Sequence, residues 1–177
     1  LINLMVKNFT YIRFSLNATN SREYEMLHGA DLYEKVIDNI KKIVKRRNAL
    51  KTNLELGSSF LVYPQNYKSI EKAVDTSAGL GLDYIQIKPA IIDNMHKHGV
   101  INNEVDDILK KIKERKDSKI RIIINDYKFN GVNECNSLSF KRTYKKCWGA
   151  NFYATVCADA GVYICCHKSG DKKFCYG

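Results

Sequence analysis

Between Tyr11 and Ile124 the chain alternates between segments of period two and segments of helical period, and no other feature restricts its fold as much. In Tyr11-Ile-Arg-Phe-Ser-Leu-Asn17, Ile12, Phe14 and Leu16 alternate with Arg13, Ser15 and Asn17, the pattern of a strand with one apolar and one polar side. Leu54 to Tyr63 reads as a second strand, ended by Pro64-Gln-Asn66 because proline cannot continue a central ladder. Tyr84-Ile-Gln-Ile-Lys-Pro89 is a third, with Gln86 and Lys88 as its alternate polar positions, and Lys119 to Ile124 is a fourth. The intervening stretches carry helical spacing. Leu32, Val36, Ile40, Ile43 and Val44 share one face, opened by Asp31 as a cap with Glu34 three residues on. Tyr67, Ile70, Ala73 and Val74 share another, stopped by Gly79 and Gly81, and Val105, Ile108, Leu109 and Ile112 a third.

A β-α-β-α-β-α-β series implies an α/β fold with a parallel sheet and right-handed crossovers. Ligands of such sheets sit at the carboxyl ends of the strands, which places Ser15, Asn17, Gln65, Asn66, Gln86 and Lys88 near one edge. A closed eight-unit barrel needs about 250 residues, so either the sheet is open or further strands lie upstream. From Tyr127 onward the sequence turns polar, aromatic and cysteine-rich without helical period. This places a boundary near Tyr127 and divides residues 1–126 from a small cysteine-containing β extension, a metal-associated appendage, over 127–177.

The balance of 29 Lys+Arg against 19 Asp+Glu gives a net charge of +10. Much of the excess lies in Lys41, Lys42, Lys45, Arg46 and Arg47 and in Lys110, Lys111, Lys113, Arg115 and Lys116, where apolar residues interrupt it as on the solvated faces of amphipathic helices. A nucleic-acid partner is not expected, because charge alone supplies only nonspecific attraction. No apolar run reaches the roughly 18 residues of a membrane span, and Leu1 to Val6 lacks the basic segment of a secretory leader, so the chain reads as cytoplasmic. Its opening on Leu1 suggests a piece of a longer protein.

All six cysteines, Cys135, Cys147, Cys157, Cys165, Cys166 and Cys175, fall in the last quarter of the chain. In a cytoplasmic protein such a cluster points to metal or redox chemistry before disulfides. His167 with Cys147, Cys165 and Cys166 makes a possible zinc set, without the paired C-x2-C knuckles that would make it specific. His96 and His98 read as a solvated loop, and His28-Gly29 as a turn after a short helix. No G-x-G-x-x-G, P-loop, G-x-S-x-G or H-E-x-x-H is present, which removes most kinase and hydrolase readings. Lys88 at a strand end has the position of a Schiff-base lysine, but no accompanying acid and base can be named.

The ordered set Tyr11-Ile-Arg-Phe-Ser-Leu-Asn-Ala18, His28-Gly29, Tyr33 to Ile40, Phe60-Leu-Val-Tyr-Pro-Gln-Asn66 and Gly81 to Pro89 resembles the second half of a radical S-adenosylmethionine enzyme. Cys147 through Ala158-Asp-Ala-Gly-Val-Tyr-Ile-Cys-Cys166 is similar to the start of the SPASM or twitch extension of that family. The resemblance implies the C-terminal half of a partial (βα)6 TIM-like barrel. It further implies S-adenosylmethionine cleaved at a [4Fe-4S] cluster, hydrogen abstraction from a peptide or small-molecule substrate, and a reductant such as flavodoxin or ferredoxin. The family's C-x3-C-x2-C triplet is nowhere in this sequence. On this reading the first half of the barrel is missing and the chain alone is inactive.

The resemblance also assigns residues. Ser15 and Asn17 stand where the family contacts the ribose or amino-acid part of the cosubstrate, although many relatives have an acid at the Asn17 position. Arg13 would face the cosubstrate carboxylate, and Gln86 and Lys88 the substrate cavity. For an auxiliary cluster, the pattern C-x(9 to 15)-G-x4-C fits Cys147, Gly161 and Cys166 by count. The register of Asp159, Val162 and Tyr163 nominates Cys165 instead and puts Ala160 where the family has glycine. We favour Cys165 and keep Cys166 beside it, and read Cys135 and Cys157 as structural or incidental. The rival readings are a noncatalytic β/α binding module with a metal-stabilised basic tail contacting nucleic acid, and a degenerate domain that has lost its chemistry.

Overall fold

The computed structural model describes residues 1–90, 103–115, 119–126, 128–129 and 145–177, without the side chains of Ala150 and His167. The expectations for His96, His98, Lys116, Tyr127, Cys135 and the His167 side chain lie outside the described residues. Two compact units divide the chain, Leu1–Leu138 and Ser139–Gly177.

The first unit runs α1 (Ile2–Asn8), β1 (Tyr11–Ser15), α2 (Ser21–His28), α3 (Tyr33–Leu50), β2 (Glu55–Val62), a 3-10 turn (Tyr67–Ser69) leading into α4 (Ile70–Gly79), β3 (Tyr84–Pro89), α5 (Asn103–Lys113) and β4 (Arg121–Ile124). All neighbouring strands pair in parallel, in the order β1-β2-β3-β4. Strands added one after another with right-handed crossovers, with no reversal of direction, put every connecting helix on the same face of the sheet. The core follows that rule. Leu56, Phe60, Val62, Ile85 and Ile87 from the strands are buried with Ile40 and Ile43 of α3, Ile70 and Val74 of α4, and Val105, Leu109 and Ile112 of α5. Each such side chain contributes roughly 1.5–3 kcal/mol by leaving water. The result is a four-stranded α/β layer compatible with part of a TIM-like barrel.

Local chemistry sets the helix ends. Asn20 caps α2 through its Oδ1, which accepts from the Glu23 N–H at 2.9 Å, and Gly29 ends it at φ +74°, a conformation that suits glycine. The expected cap of α3 by Asp31 is corrected. The N-cap position falls on Leu32, without a side-chain cap, and Leu32 is exposed rather than part of the inward face. Tertiary packing fixes this start, because Tyr33 and Ile37 are buried with Leu16 and move the cap one residue past Asp31. Helix α1 carries no capping signal in its sequence. It is held by packing, with Val6 1% exposed in the core and Asn3 Oδ1 accepting from Arg46 Nε at 2.6 Å.

The second unit is built on β5 (Thr155–Val156) and β6 (Val162–Tyr163), paired antiparallel. Tyr163 is also bridged to Cys175, and the Tyr176 N–H donates to the Val162 carbonyl at 3.0 Å, so the C-terminal residues flank β6 on its other side. In the turn, the Ala160 N–H donates to the Cys157 carbonyl at 2.9 Å, and Ala160 itself sits at φ +60°. This is the position where the register of the extension expects glycine, and the backbone has kept glycine's conformation. Ala160→Gly is therefore expected to stabilise the unit by up to about 1 kcal/mol, the cost of a left-handed alanine less the added freedom of an unfolded glycine. Thermal unfolding would show a raised midpoint; an unchanged or lowered one would contradict the strain.

Candidate functional site at the strand carboxyl ends

The face of the sheet turned away from the helices is polar. The register lays Arg13, Gly57, Tyr84 and Arg121 in one row across β1 to β4, Ser15, Ser59, Gln86 and Ile123 in the next, and Leu61 beside Lys88 beyond that. Side chains alternate along a strand, so these rows share one face. At its amino end, Tyr84 lies over Gly57, Arg121 stands 5.4 Å from the Tyr84 ring centroid, and Arg121 Nη2 donates to Glu55 Oε1 at 2.7 Å. One row further on, Arg13 Nη1 reaches across β2 to Gln86 Oε1 at 2.9 Å, and the Ser15 and Ser59 hydroxyls are 3.3 Å apart. Arg13, Ser15, Gln86 and Lys88 are thus brought to one surface, as their alternation predicts.

Asn17 has a different environment. It lies just past β1, buried, at φ +53°, a region asparagine tolerates. Its Oδ1 accepts from the Leu61 N–H at 2.9 Å, and its carbonyl accepts from Asn66 Nδ2 at 2.8 Å. Asn66 is 1% exposed and also donates to the Leu61 carbonyl at 2.9 Å while accepting from the Tyr63 N–H at 2.7 Å. The two asparagines pin the chain leaving β1 to the chain leaving β2. Gln65, expected at the same edge, is exposed.

Sequence reasoning did not single out three further groups. Glu23 at the start of α2 accepts from Thr19 N–H and Oγ1 at 2.8 and 3.0 Å and from the Ser69 hydroxyl, tying α2 to the turn before α4. Ser59 pairs with Ser15, and Lys128 follows β4 in a turn whose N–H groups bond to Asn125. Only Ser59 left a signal, its alternation with Gly57 and Leu61 within the second strand. Electrostatically the site is positive. Burial first, then the nearby charges of Arg13 and Lys128, hold the Lys88 ammonium below the ordinary lysine range. Burial raises the Tyr84 phenol.

In the second unit Cys147 and Cys166 are exposed and Cys157, Cys165 and Cys175 half-buried, all as thiols. Among the described residues, no three His, Cys, Asp or Glu side chains gather so as to hold a metal ion. What organises this unit is a hydrogen bond. The Tyr163 hydroxyl donates to Asp159 Oδ2 at 2.8 Å, and the Gly161 N–H donates to Asp159 Oδ1 at 3.0 Å. The bond to Tyr163, then that to Gly161, lowers the Asp159 pKa; the same bond, then burial, pushes Tyr163 up to about 12.

The pH consequences have opposite signs. The Asp159 contribution is present above the unfolded carboxylate pKa and is lost as pH falls through its depressed value. The Tyr163 contribution is complete below 10.0 and is lost as pH rises toward about 12. Titration of the Tyr163 ring by carbon-13 NMR should give a midpoint near 12, and Asp159→Ala should bring it down toward 10. A midpoint that ignores the Asp159 substitution would show that the bond is not made in solution.

No protein-family model matches the chain, and no curated protein matches it. Among solved structures, the crystal structure of Streptococcus suis SuiB matches with a TM-score of 0.63 at 10% identity, over 99% of this chain and 42% of that one. At that identity the likeness is one of fold. The chain thus spans well under half the length of SuiB. Among the described residues no helix is long and apolar enough to cross a membrane.

Proposed function

We propose that this chain is the C-terminal half of a radical S-adenosylmethionine barrel joined to the first part of a SPASM or twitch extension. The observation that carries the reading is the unreversed parallel order β1-β2-β3-β4, with α3, α4 and α5 on one face and Arg13, Ser15, Gln86 and Lys88 on the other. That is the layout of a barrel wall, whose inner face bears the ligand groups. The likeness to SuiB, a radical S-adenosylmethionine enzyme with such an extension, supports it at the level of fold.

The residues fit the cosubstrate. Ser15 has a hydroxyl that can donate to or accept from a ribose, and Arg13 offers guanidinium donors to a carboxylate. With its Oδ1 held by Leu61, Asn17 contributes its Nδ2 amide, which has no partner among the described residues. Gln86 and Lys88 face the space left for substrate. Bound together, the cosubstrate and a [4Fe-4S] cluster supply hydrogen-atom abstraction, with an electron from a flavodoxin or ferredoxin. The chain's own part is to bind, orient and shield. The described thiols do not by themselves make an auxiliary cluster site, so no step is assigned to Cys147, Cys165 or Cys166.

The test is to recover the reading frame upstream of Leu1, look for C-x3-C-x2-C after a strand, and express the whole protein. Reconstituted anaerobically with iron, sulfide and a reductant, it should form 5′-deoxyadenosine from S-adenosylmethionine, and Ser15→Ala should slow this at least tenfold. A frame without the triplet, or no product from a cluster-loaded protein, would overturn the reading and bring forward the binding-module alternative.

A further inference from the structure

Toward the carboxyl ends of the strands the polar face carries positive charge, with no acid beside it among the described residues. Among the described residues Arg13 holds only the neutral amide oxygen of Gln86, at 2.9 Å. Lys88 is half-buried on β3, two residues beyond Gln86 on the same face, and forms no hydrogen bond or ion pair among the described residues. Glu55 of this face is engaged by Arg121 at the amino end of the strands, and Glu23 of α2 by Thr19 and Ser69. Other cations of the unit have partners, as Lys111 has Glu71, Lys113 has Asp126, and Lys42 has Asp38. A half-buried ammonium without a counter-charge is costly, and the cost is removed when an anion arrives.

We infer that Lys88, with Arg13 and Lys128 around it, receives an oxyanion, a carboxylate or phosphate group, carried by the substrate. The inference rests on the proposed reading for the identity of the wall that substrate meets. It adds the chemical class, an acidic substrate. A neighbouring guanidinium and two ammonium groups suit this, since ionised acceptors make the stronger hydrogen bonds. The lowered Lys88 pKa, set first by burial and then by Arg13 and Lys128, agrees with a partly buried cation among cations.

The experiment uses the 177-residue chain labelled with nitrogen-15, with succinate and inorganic phosphate as separate probes and S-adenosylhomocysteine as a third. Saturable amide shifts at Ser59, Gln86 and Lys88 are expected with one of the two anions, at least tenfold weaker in Lys88→Gln and weakened also in Lys128→Gln. Lys42→Gln, on the exposed face of α3, should leave the affinity unchanged. Shifts spread over the lysine-rich helices, or an affinity indifferent to both Lys88→Gln and Lys128→Gln, would overturn the inference. S-adenosylhomocysteine separates the two claims. Binding of it beside the anion supports both, and exclusion of the anion by it would assign the charge to the cosubstrate and overturn the inference. Anion binding retained with no S-adenosylhomocysteine binding would count against the radical reading while leaving the anion site in place.

Discussion

Replacing Asn66 by alanine is expected to cost the first unit roughly 3 kcal/mol, because three backbone groups lose partners at a site closed to water. The side chain is 1% exposed and bonds the Tyr63 N–H, the Asn17 carbonyl and the Leu61 carbonyl. Each group left unsatisfied carries a penalty of about 1–3 kcal/mol, and the three do not add fully because the loops can relax. Against a typical stability of roughly 5–15 kcal/mol this is a large fraction. Urea unfolding should show a lower midpoint at an unchanged slope. Asn66→Asp should be no better, since it sets a carboxylate oxygen against two carbonyls in place of an amide that donates to both. A loss under 1 kcal/mol in the alanine variant would mean that the bonds are replaced by water.

The same pin bears on function. Asn17 takes its φ of +53° just after Ser15, and Asn66 and Leu61 hold it there. Releasing Asn66 frees the segment that positions Ser15 and Asn17 at the carboxyl end of β1, so ligand affinity should fall along with stability. In sequence, Asn17 reads as a ligand because it continues the alternation of Arg13 and Ser15. The structure shows β1 ending at Ser15 and the chain turning, which engages the Asn17 carboxamide oxygen inside the fold.

That contrast marks what was legible. Strands β1 to β4 and helices α3, α4 and α5 announce themselves through apolar spacing, because the side of the sheet that meets these helices is apolar and the other side is largely polar. The parallel order follows from connection lengths and handedness. The entry to α3 is not legible, because Tyr33 and Ile37 choose it by packing on Leu16 and overrule the Asp31 and Glu34 signal. Nor is α1, a short helix whose sequence lacks a cap. In the site, Arg13, Gln86 and Lys88 were visible by periodicity, whereas Lys128 depends on a turn after β4 and Glu23 on a contact to Ser69 far along the chain. The cysteine spacing suggested a cluster. Among the described residues no three such ligands gather, and the bond from Tyr163 to Asp159 spans the turn between β5 and β6.

Gly57→Ala is expected to destabilise the first unit by roughly 1–3 kcal/mol, although alanine is the better strand residue. A methyl at Gly57 would overlap the Tyr84 ring at Cζ and Cε1, well inside contact distance. The ring has little room to yield, because Tyr84 is 6% exposed and Arg121 stands over it, itself tied to Glu55. The absent side chain at Gly57 is thus what lets Tyr84 lie across β2. A double-mutant cycle isolates this cause. In a Tyr84→Ala background the clash is gone, and Gly57→Ala should become stabilising by about 0.5–1 kcal/mol through the lost freedom of the unfolded glycine. The coupling energy then exceeds about 1 kcal/mol, as for residues in direct contact. If Gly57→Ala costs the same with and without the Tyr84 ring, the ring does not occupy that space in solution, and the arrangement of the polar face above it would need another explanation.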